Sequence, residues 1–390
     1  MKKLLAILLV LCFATPALAQ NWHFYGSLRT HLAFYDIDED YLGGPAMENA
    51  LGADDSGALL GLSGQSRLGL RGQATENLWG LVELGFRDTT REDGQLDTSG
   101  NSKGVYTRLA YGNWNFGAGN LIVGKDYTPG TFLGYSNMIG DIGDQGGANM
   151  LVGGLPYIGR QPQVKLQMGD FSAALIQRNK AMPASPTASA LLAGLGVDDL
   201  ELNGEDYIPR IEAAYVHRLP MVNIRGVAGF QSYDMQWDSQ LAGISEDETV
   251  ISFLLGIGAS FNLDPAYVKG TVSYMQNPGN YGISNVMAPL ARDAFGDEDA
   301  ESWQATLVAG YKFTPAMTGE IGFAYTMNEV DDFEQDGWLA YAQLPVFLDR
   351  GMTLTPEFGF VSQGDLEDDG NVIAEFGEMM YFALEFRVDF

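Results

Sequence analysis

The last ten residues of the chain, 381–390, alternate between apolar and polar side chains without interruption. One face carries the apolar residues Phe382, Leu384, Phe386, Val388 and Phe390, and the other carries a mostly polar, charged set. A period of two residues indicates a β-strand, because successive side chains point to opposite sides of the pleat. The sequence therefore predicts a strand with one apolar and one charged face at this end of the chain.

Residues 1–19 have the three parts of a secretory signal peptide. Lys2 and Lys3 precede an apolar run at 4–13, and small residues at 16–19 end in an A-x-A pattern, so we expect cleavage after Ala19. The apolar run is shorter than the roughly 20 residues of a membrane-spanning helix. The single cysteine, Cys12, lies within this segment, so residues 20–390 are predicted to fold without disulfide bonds.

The composition of the remaining chain favours many short strands over helices. Hydrophobic residues make up 46% of the sequence, yet no later stretch approaches the roughly 18 consecutive apolar residues of a helical membrane span. Glycine, at 49 residues, suits turns and curved strands better than helices. Because the composition does not change anywhere along the chain, we predict a single domain over residues 20–390.

About sixteen strand candidates follow one another, and the lengths of their connections alternate. Short turns with turn-forming residues alternate with connections that are mostly long and rich in Gly, Asp, Asn and Ser, as at 37–58, 89–104, 128–160, 179–206 and 278–301. An antiparallel up-and-down barrel with one short-turn rim and one long-loop rim produces this alternation. Pro345 and Pro356 fall inside proposed strands, where each removes a ladder hydrogen bond, so they predict either bulges or a different strand count.

The polar face of each strand predicts which side is the lumen. In residues 302–314, Trp303 and Leu307 share one face, while Gln304, Thr306 and Lys312 share the other. A barrel in lipid needs an apolar exterior, so the polar set is expected to point inward. A barrel of about sixteen strands is too wide for side chains to fill and leaves an aqueous channel, which predicts passage of small solutes.

This arrangement resembles the general, non-specific porins of Gram-negative outer membranes. The resemblance covers the signal peptide, the alternating loops and turns, the long third loop at 128–160 and the terminal Phe390. It implies an all-β transmembrane barrel in the outer membrane that allows passive diffusion of ions and small hydrophilic solutes. It also implies a homotrimer, a last strand read by the barrel assembly machinery, and a third loop that folds into the channel as a constriction with a basic wall opposite an acidic loop.

Five arginines on the first four predicted strands are candidates for the basic wall. A guanidinium is permanently charged, rigid and weakly hydrated, so it can hold a fixed positive wall in a narrow channel. The alternative is that these arginines pair with Glu83 or line a wide, screened vestibule. The candidates are Arg29, Arg67, Arg71, Arg87 and Arg108.

Asp141 and Asp144 are the candidates for the acidic side of the constriction. They lie in a Gly-rich stretch at 134–154, next to apolar residues that could pack the loop against the barrel. If they face the arginines, a transverse field would favour polar solutes over apolar ones. The alternative is a loop that caps the external mouth with solvated aspartates.

The formal net charge of −28 is concentrated in acidic runs of the proposed long loops, such as 36–40, 297–299, 331–332 and 367–369. We expect a solvated acidic face. The alternative is loosely bound divalent cations that bridge to anionic lipopolysaccharide, since hard cations favour carboxylate oxygens; no other cofactor is predicted. An acidic mouth predicts a weak preference for cations, and the acidic balance disfavours nucleic-acid binding.

Ten tyrosines and tryptophans on the strands are expected to form an interfacial girdle at headgroup depth rather than an inward track for sugars. They are Tyr25, Tyr35, Trp79, Tyr111, Trp114, Tyr215, Trp303, Tyr311, Trp338 and Tyr381.

The three histidines belong to no recognisable catalytic pattern, so no enzymatic activity is predicted. The alternatives to a general porin are a channel selective for a substrate such as a sugar or carboxylate, and a barrel scaffold or adhesin that acts through its external loops.

Overall fold

The chain folds into antiparallel strands, which a computed structural model describes for residues 21–38, 56–88, 103–139, 154–178, 201–203, 208–239, 244–283, 299–375 and 377–390. The first ten strands are β1 (Asn21–Ile37), β2 (Ser56–Thr75), β3 (Leu78–Asp88), β4 (Lys103–Asn115), β5 (Asn120–Tyr127), β6 (Arg160–Met168), β7 (Phe171–Ile176), β8 (Glu201–Asn203), β9 (Arg210–Arg218) and β10 (Val222–Ser239). The next ten are β11 (Ile244–Leu263), β12 (Ala266–Gln276), β13 (Glu301–Thr314), β14 (Met317–Val330), β15 (Phe333–Gln343), β16 (Val346–Asp349), β17 (Met352–Ser362), β18 (Asp365–Asp368), β19 (Asn371–Glu375) and β20 (Glu378–Asp389). One helical turn, α1 (Pro278–Tyr281), follows β12, and no helix in these ranges is long and apolar enough to cross a membrane.

These strands occupy sixteen positions around a closed barrel. Four short strands continue the line of a longer one: β8 that of β9, β16 that of β15, β18 that of β17 and β19 that of β20. The ring closes where β1 pairs with β20, from Ser27 opposite Asp389 to Ile37 opposite Met379. The prediction of an antiparallel all-β barrel with about sixteen strands is confirmed.

The two rims differ in the length of their connections. At one rim the strands are joined by short turns, such as 76–77, 169–170, 264–265 and 315–316, and β1 begins and β20 ends at this rim. At the other rim lie the long segments, including the one between β5 and β6. One connection there is shorter than the sequence indicates, because β14 and β15 extend to a two-residue turn at Asp331 and Asp332.

Alternation of side chains divides the barrel wall into an apolar outside and a polar inside. On β13, Trp303 and Leu307 are 46% and 58% exposed on the outer face, while Gln304 and Thr306 are buried on the inner face. The same alternation on β20 places Phe382 outward and Glu385 inward. The inward assignment of the polar set on β13 is confirmed at these positions.

The two prolines that fall inside predicted strands, Pro345 and Pro356, lie beside the same interruption of the ladder. Pro345 lies in the break between β15 and β16, and Pro356 lies within β17 beside that break. The carbonyl of Pro356 accepts from Leu344 N at 3.0 Å, so its nitrogen, which cannot donate, also points toward the break. The prolines therefore mark a local irregularity, and the count of sixteen positions holds.

Inward tyrosines lie over glycines of the neighbouring strand, which accounts for part of the glycine content. Tyr25 pairs with Gly69, and the partner of Gly69 on the following strand is Glu83, whose Oε2 accepts from Tyr25 Oη at 2.9 Å. A Cβ at Gly69 would lie 2.0 Å from the Tyr25 ring, so only glycine lets the ring lie flat there. The same order of tyrosine, glycine and glutamate recurs on β12, β13 and β14, where it ends at Glu320.

The predicted aromatic girdle is only partly correct. Trp114, Tyr215, Trp303 and Tyr311 are about half exposed on the outer face, and Trp338 stacks on outward-facing Phe360. Four other members of the predicted set point inward instead, where they contact polar groups or one another: Tyr25, Trp79, Tyr111 and Tyr381. The side chain of Tyr35 lies outside the described part of the chain.

Candidate functional site in the barrel interior

The long segment between β5 and β6 folds into the barrel, and three buried glutamates on the wall hold its backbone. Gly130 N donates to Glu212 on β9 at 2.7 Å, and Ile139 N donates to Glu357 on β17 at 2.9 Å. Between these two points, Asn137 N donates to Glu320 on β14 at 3.1 Å. The prediction of an inward third loop is confirmed for its described residues, 128–139 and 154–159.

Glu320 is the most heavily bonded of the three carboxylates. It is 2% exposed, and one oxygen accepts from Asn137 N, from Tyr341 Oη at 2.7 Å and from Gln343 Nε2 at 2.8 Å. The other oxygen accepts from Asn137 Nδ2 at 2.6 Å and from Tyr267 Oη. Hydrogen bonds to a charged acceptor are stronger than neutral ones, so this convergence fixes the backbone of the loop at Asn137.

Apolar packing and two basic side chains also hold the loop against the wall. Phe132 and Leu155 are fully buried, and a Cβ at Gly256 would lie 2.8 Å from the Phe132 ring. Arg225 donates to Pro129 O at 2.7 Å, and Lys269 Nζ donates to Gly134 O at 2.7 Å. These contacts reach β10, β11 and β12, so the loop follows the inner face of the half of the barrel that lies away from β1 to β4.

On that other half, two of the predicted arginines converge on one carboxylate. Arg108 Nε donates to Glu83 Oε1 at 2.8 Å, and Arg67 Nε lies 3.6 Å from Glu83 Oε2. Arg108 is 2% exposed and also donates to Gly64 O at 3.2 Å and to Tyr127 Oη at 3.4 Å. Two guanidinium groups share one carboxylate, so this group of side chains keeps a net positive charge.

A third predicted arginine, Arg29, lies beside a second carboxylate. Its Nη1 is 3.9 Å from Glu385 Oε2, which also lies 2.9 Å from His31 Nε2. Arg29 Nε donates to Ser27 Oγ at 3.3 Å. The positive charge of Arg29 is therefore partly balanced within the wall.

The other two predicted arginines are placed differently. Arg71 is exposed and its guanidinium carbon lies 4.1 Å from the centre of the Trp79 ring, a cation–π contact. Arg87 lies on β3 opposite Gly104, and its side chain lies outside the described part of the chain. A role of these arginines in a constriction stays a prediction.

Asp141 and Asp144, predicted for the acidic side, lie outside the described residues. The described loop residues, 128–139 and 154–159, contain no Asp or Glu. The negative charges that contact this part of the loop come instead from Glu212, Glu320 and Glu357 of the wall. The sequence reasoning missed these three, although each is an inward-parity glutamate within a strand.

An acidic cluster lies at the long-loop rim, where two of the predicted acidic runs meet. Carboxylate oxygens of Asp332, Asp368 and Asp369 lie within 4.8 Å of one another, and Asp369 N donates to Asp332 O at 3.2 Å. The nearby negative charges of Asp369, Asp331 and Asp368 raise the pKa of the Asp332 carboxyl above its usual value. The pairing of β15 with β18 brings these runs together.

Comparison with known proteins shows a shared fold. Residues 200–382, a little under half of the chain, match the family model described as Autotransporter beta-domain. No curated protein matches the sequence. Solved structures match over almost the whole of both chains, and at their low identities the likeness is one of fold.

Three of these structures have between 11% and 15% sequence identity to this chain. The outer membrane channel DcaP of Acinetobacter baumannii has 15% identity and a TM-score of 0.66, covering 95% of this chain and 97% of its own. OmpT of Vibrio cholerae, in its trimer form, has 15% identity and a TM-score of 0.53, covering 95% and 99%. OmpF of Salmonella typhi, in complex with daunomycin, has 11% identity and a TM-score of 0.56, covering 94% and 97%.

Proposed function

We propose that this protein is an outer-membrane channel of the porin type, through which ions and small hydrophilic solutes diffuse passively. The observation that carries the proposal is a closed sixteen-strand barrel with an apolar outside, a charged inside and a loop anchored along part of its inner face. A barrel of this strand number is wide enough for an aqueous channel. The proposal assigns no catalysis to the chain.

Placement in a bilayer is supported by the outer surface. Apolar side chains such as Leu255, Ile257 and Ile321 are exposed on the outer face of the strands. Exposure of these side chains to water costs free energy, whereas contact with lipid does not. Aromatic side chains lie near both rims, with Trp303 and Trp338 toward the long-loop rim and Trp114 toward the short-turn rim. The fold shared with the outer membrane channel DcaP points to the same membrane.

The channel is proposed to narrow where the inward loop faces the arginine wall. The positive side consists of Arg67 and Arg108 around Glu83, together with Arg29. Asp141 and Asp144 are proposed for the opposing side. A transverse field of this kind orders water and favours polar solutes, and the acidic outer loops are proposed to attract cations to the mouth, with divalent cations bridging to lipopolysaccharide.

The assembly and processing predictions form part of the same proposal. Cleavage after Ala19 would release a mature chain of residues 20–390, which mass spectrometry of the purified protein would test. A homotrimer is supported by the trimer form of OmpT, a protein with the same fold. The barrel assembly machinery is proposed to recognise the strand that ends in Phe390 and to insert the barrel into the outer membrane.

Solute flux into vesicles tests the proposed function. Purified protein is reconstituted into liposomes loaded with an impermeant polymer, and swelling is followed after addition of sugars or amino acids of increasing size. We expect fast swelling with the smallest solutes and a steep decline with size, whereas heat-unfolded protein gives none. Flux no faster than in protein-free vesicles would contradict the proposal.

The match to the Autotransporter beta-domain family favours one second candidate, a barrel that serves the export of a polypeptide segment. This candidate predicts a lumen occupied by chain and therefore little flux of small solutes. The same vesicle experiment separates the two candidates.

A further inference from the structure

A second segment at the long-loop rim also folds into the barrel. Residues 277–283, the inner strap, include α1 and directly follow β12. Asn277 adopts a left-handed backbone conformation with a φ of 51°, which asparagine tolerates better than most residues, and the chain leaves the ladder there. Asn277 Nδ2 donates to Ile251 O of β11 at 2.9 Å, so the strap begins against β11.

The inner strap then crosses the inner faces of β10 and β9. Gln231 Nε2 of β10 donates to Asn280 O at 2.9 Å, and Asn280 Nδ2 donates to Tyr233 Oη of β10 at 3.0 Å. Arg210 Nη1 of β9 donates to Tyr281 O at 2.8 Å. The strap is therefore bonded to each of the three strands that it crosses.

Glu212 on β9 joins the inner strap to the third loop. Its Oε2 accepts from Gly130 N of the third loop at 2.7 Å, and its Oε1 accepts from Tyr281 Oη of the strap at 3.1 Å. Arg210 Nε lies 3.2 Å from the same Oε1 and balances the charge of the carboxylate. Glu212 is completely buried, and hydrogen bonds to a charged acceptor away from water are strong. One carboxylate therefore holds both segments.

Apolar packing joins the same two segments. Both contribute side chains to one buried cluster: Tyr281 and Ile283 of the inner strap, and Phe132, Leu155 and Ile158 of the third loop. Because protein interiors are close-packed, a shift of one member of the cluster displaces its neighbours. The hydrogen bonds at Glu212 and this cluster therefore act on the same pair of segments.

We propose that Arg210, Glu212 and Tyr281 form a latch that makes the inner strap and the third loop one cooperative unit. Opening of one segment from the wall then requires opening of the other, and the width of the channel beside the third loop depends on both. Each of the three residues is at most 1% exposed, so they position the two segments and do not contact a solute. The coupling stands on these contacts, whereas its effect on solute passage rests on the proposed channel function.

Amide hydrogen exchange of the folded protein in lipid vesicles tests the coupling with one reporter in each segment. The reporters are Gly130 N, which donates to Glu212, and Tyr281 N, which donates to Asn277 O at 2.9 Å. Tyr281→Phe removes only the hydroxyl of the latch. Gly229→Ala leaves the latch residues in place but adds a Cβ that would lie 1.9 Å from Tyr281 Oη and so displaces it from Glu212.

Each variant has a matched control that leaves the latch intact. Tyr325→Phe also removes a hydroxyl that donates to a carboxylate, that of Asp336 at 2.9 Å, on the outer face of β14. Gly226→Ala also adds a methyl group to β10, at a position where a Cβ would meet nothing within 4 Å among the described residues.

We expect exchange at both reporters to be about 10-fold or more faster in Tyr281→Phe and in Gly229→Ala, because both lose a bond to a charged carboxylate that the unit shares. Exchange at Asn137, which Glu320 holds separately, should stay within about twofold of the wild type, as should every amide in the two controls. In the vesicle swelling assay, both latch variants should raise the uptake of a disaccharide relative to a monosaccharide, and the controls should not.

Three results would overturn the proposal. Faster exchange at residue 281 with unchanged exchange at Gly130 would mean that the inner strap opens alone. Equal effects of Gly229→Ala and Gly226→Ala would mean that a methyl group anywhere on β10 loosens the wall. An unchanged uptake ratio in variants whose two reporters exchange faster would mean that channel width does not depend on the latch. Absence of uptake in the wild type would instead contradict the proposed function, and the exchange rates would still decide the coupling.

Discussion

The anchoring of the inward loop by Glu320 predicts a local effect that hydrogen exchange can measure. In Glu320→Leu the carboxylate that accepts from Asn137 N is replaced by an apolar side chain of similar length. A hydrogen bond to a charged acceptor contributes about 1.5–3 kcal/mol. Its loss should therefore speed exchange of the Asn137 amide by about 10- to 100-fold when exchange is measured under conditions in which its rate reports the local opening equilibrium.

The same loop supplies the control for this experiment. Gly130 N donates to Glu212, seven positions earlier in the chain. Exchange at Gly130 should stay within about twofold of the wild type in Glu320→Leu, because the anchoring bond there is unchanged. In Glu212→Leu the pattern should reverse, with fast exchange at Gly130 and slow exchange at Asn137. Unchanged exchange at Asn137, or equal acceleration at both amides, would refute separate anchoring by the two carboxylates.

Three further predictions concern the wall and the rim. Arg108→Ala should lower the free energy of unfolding by about 1.5–3 kcal/mol, because it removes a buried hydrogen bond to the charged Glu83 carboxylate, which keeps Arg67 and Tyr25 as partners. Exposed Arg71→Ala should cost less than about 1 kcal/mol, and urea unfolding measures both. Leu307→Arg, at a central outward position, should cost about 2–4 kcal/mol of folding in vesicles, and Leu307→Met less than about 1 kcal/mol. Asp369→Asn should lower the pKa of Asp332, which repulsion raises in the folded state, as a carbon-13 NMR titration would show. Since the folded state holds this proton more tightly, stability should fall as the pH rises from the ordinary aspartate pKa through the raised one, and Asp369→Asn should reduce that slope.

Each of these predictions has an outcome that contradicts it. Equal losses for Arg108→Ala and Arg71→Ala would mean that burial of the first guanidinium does not matter. A negligible cost of Leu307→Arg would argue against a lipid-facing position for that side chain. An Asp332 pKa that does not respond to Asp369→Asn would show that the two carboxylates do not interact in solution.

The barrel itself could be predicted because its main signals are local. The alternation in 302–314 fixes which side chains of β13 face outward, and the alternating loop lengths give both the strand count and the two rims. The inward third loop could not be deduced from alternation and followed only from the resemblance to porins. The alternation within single strands therefore predicts the wall of the barrel but not the position of the loop inside it.

The anchors of the loop could not be predicted because they join distant parts of the chain. Asn137 and Glu320 are separated by 183 positions, and no local pattern indicates which loop amide meets which inward glutamate. A register shift also changes which residues of a strand face inward, so alternation alone no longer predicts the inner face. Such a shift lies between Glu83 and Leu84 on the β3 and β4 pair. Arg108 lies at this shift, between the paired residues Thr107 and Leu109, and its side chain reaches the same carboxylate as Arg67, a pairing that the sequence left open as an alternative.

The inward position of the tyrosines also could not be predicted from the sequence of a single strand. Tyr25 near a strand end is typical of an interfacial girdle, and only the placement of Gly69 and Glu83 on adjacent strands shows that its ring lies on the inner wall. The signal would have been a tyrosine, a glycine and a glutamate on one rung, which requires the register between strands. Register depends on bulges and turns that composition does not reveal.

The central claim is that the barrel holds a water-filled channel, and single-channel conductance in a planar bilayer tests it most directly. The account predicts discrete current steps that are proportional to voltage, grouped in threes if the protein is trimeric, with a reversal potential in a salt gradient that reports the charge of the interior. Purified, folded protein that inserts into the bilayer and carries no current would contradict it.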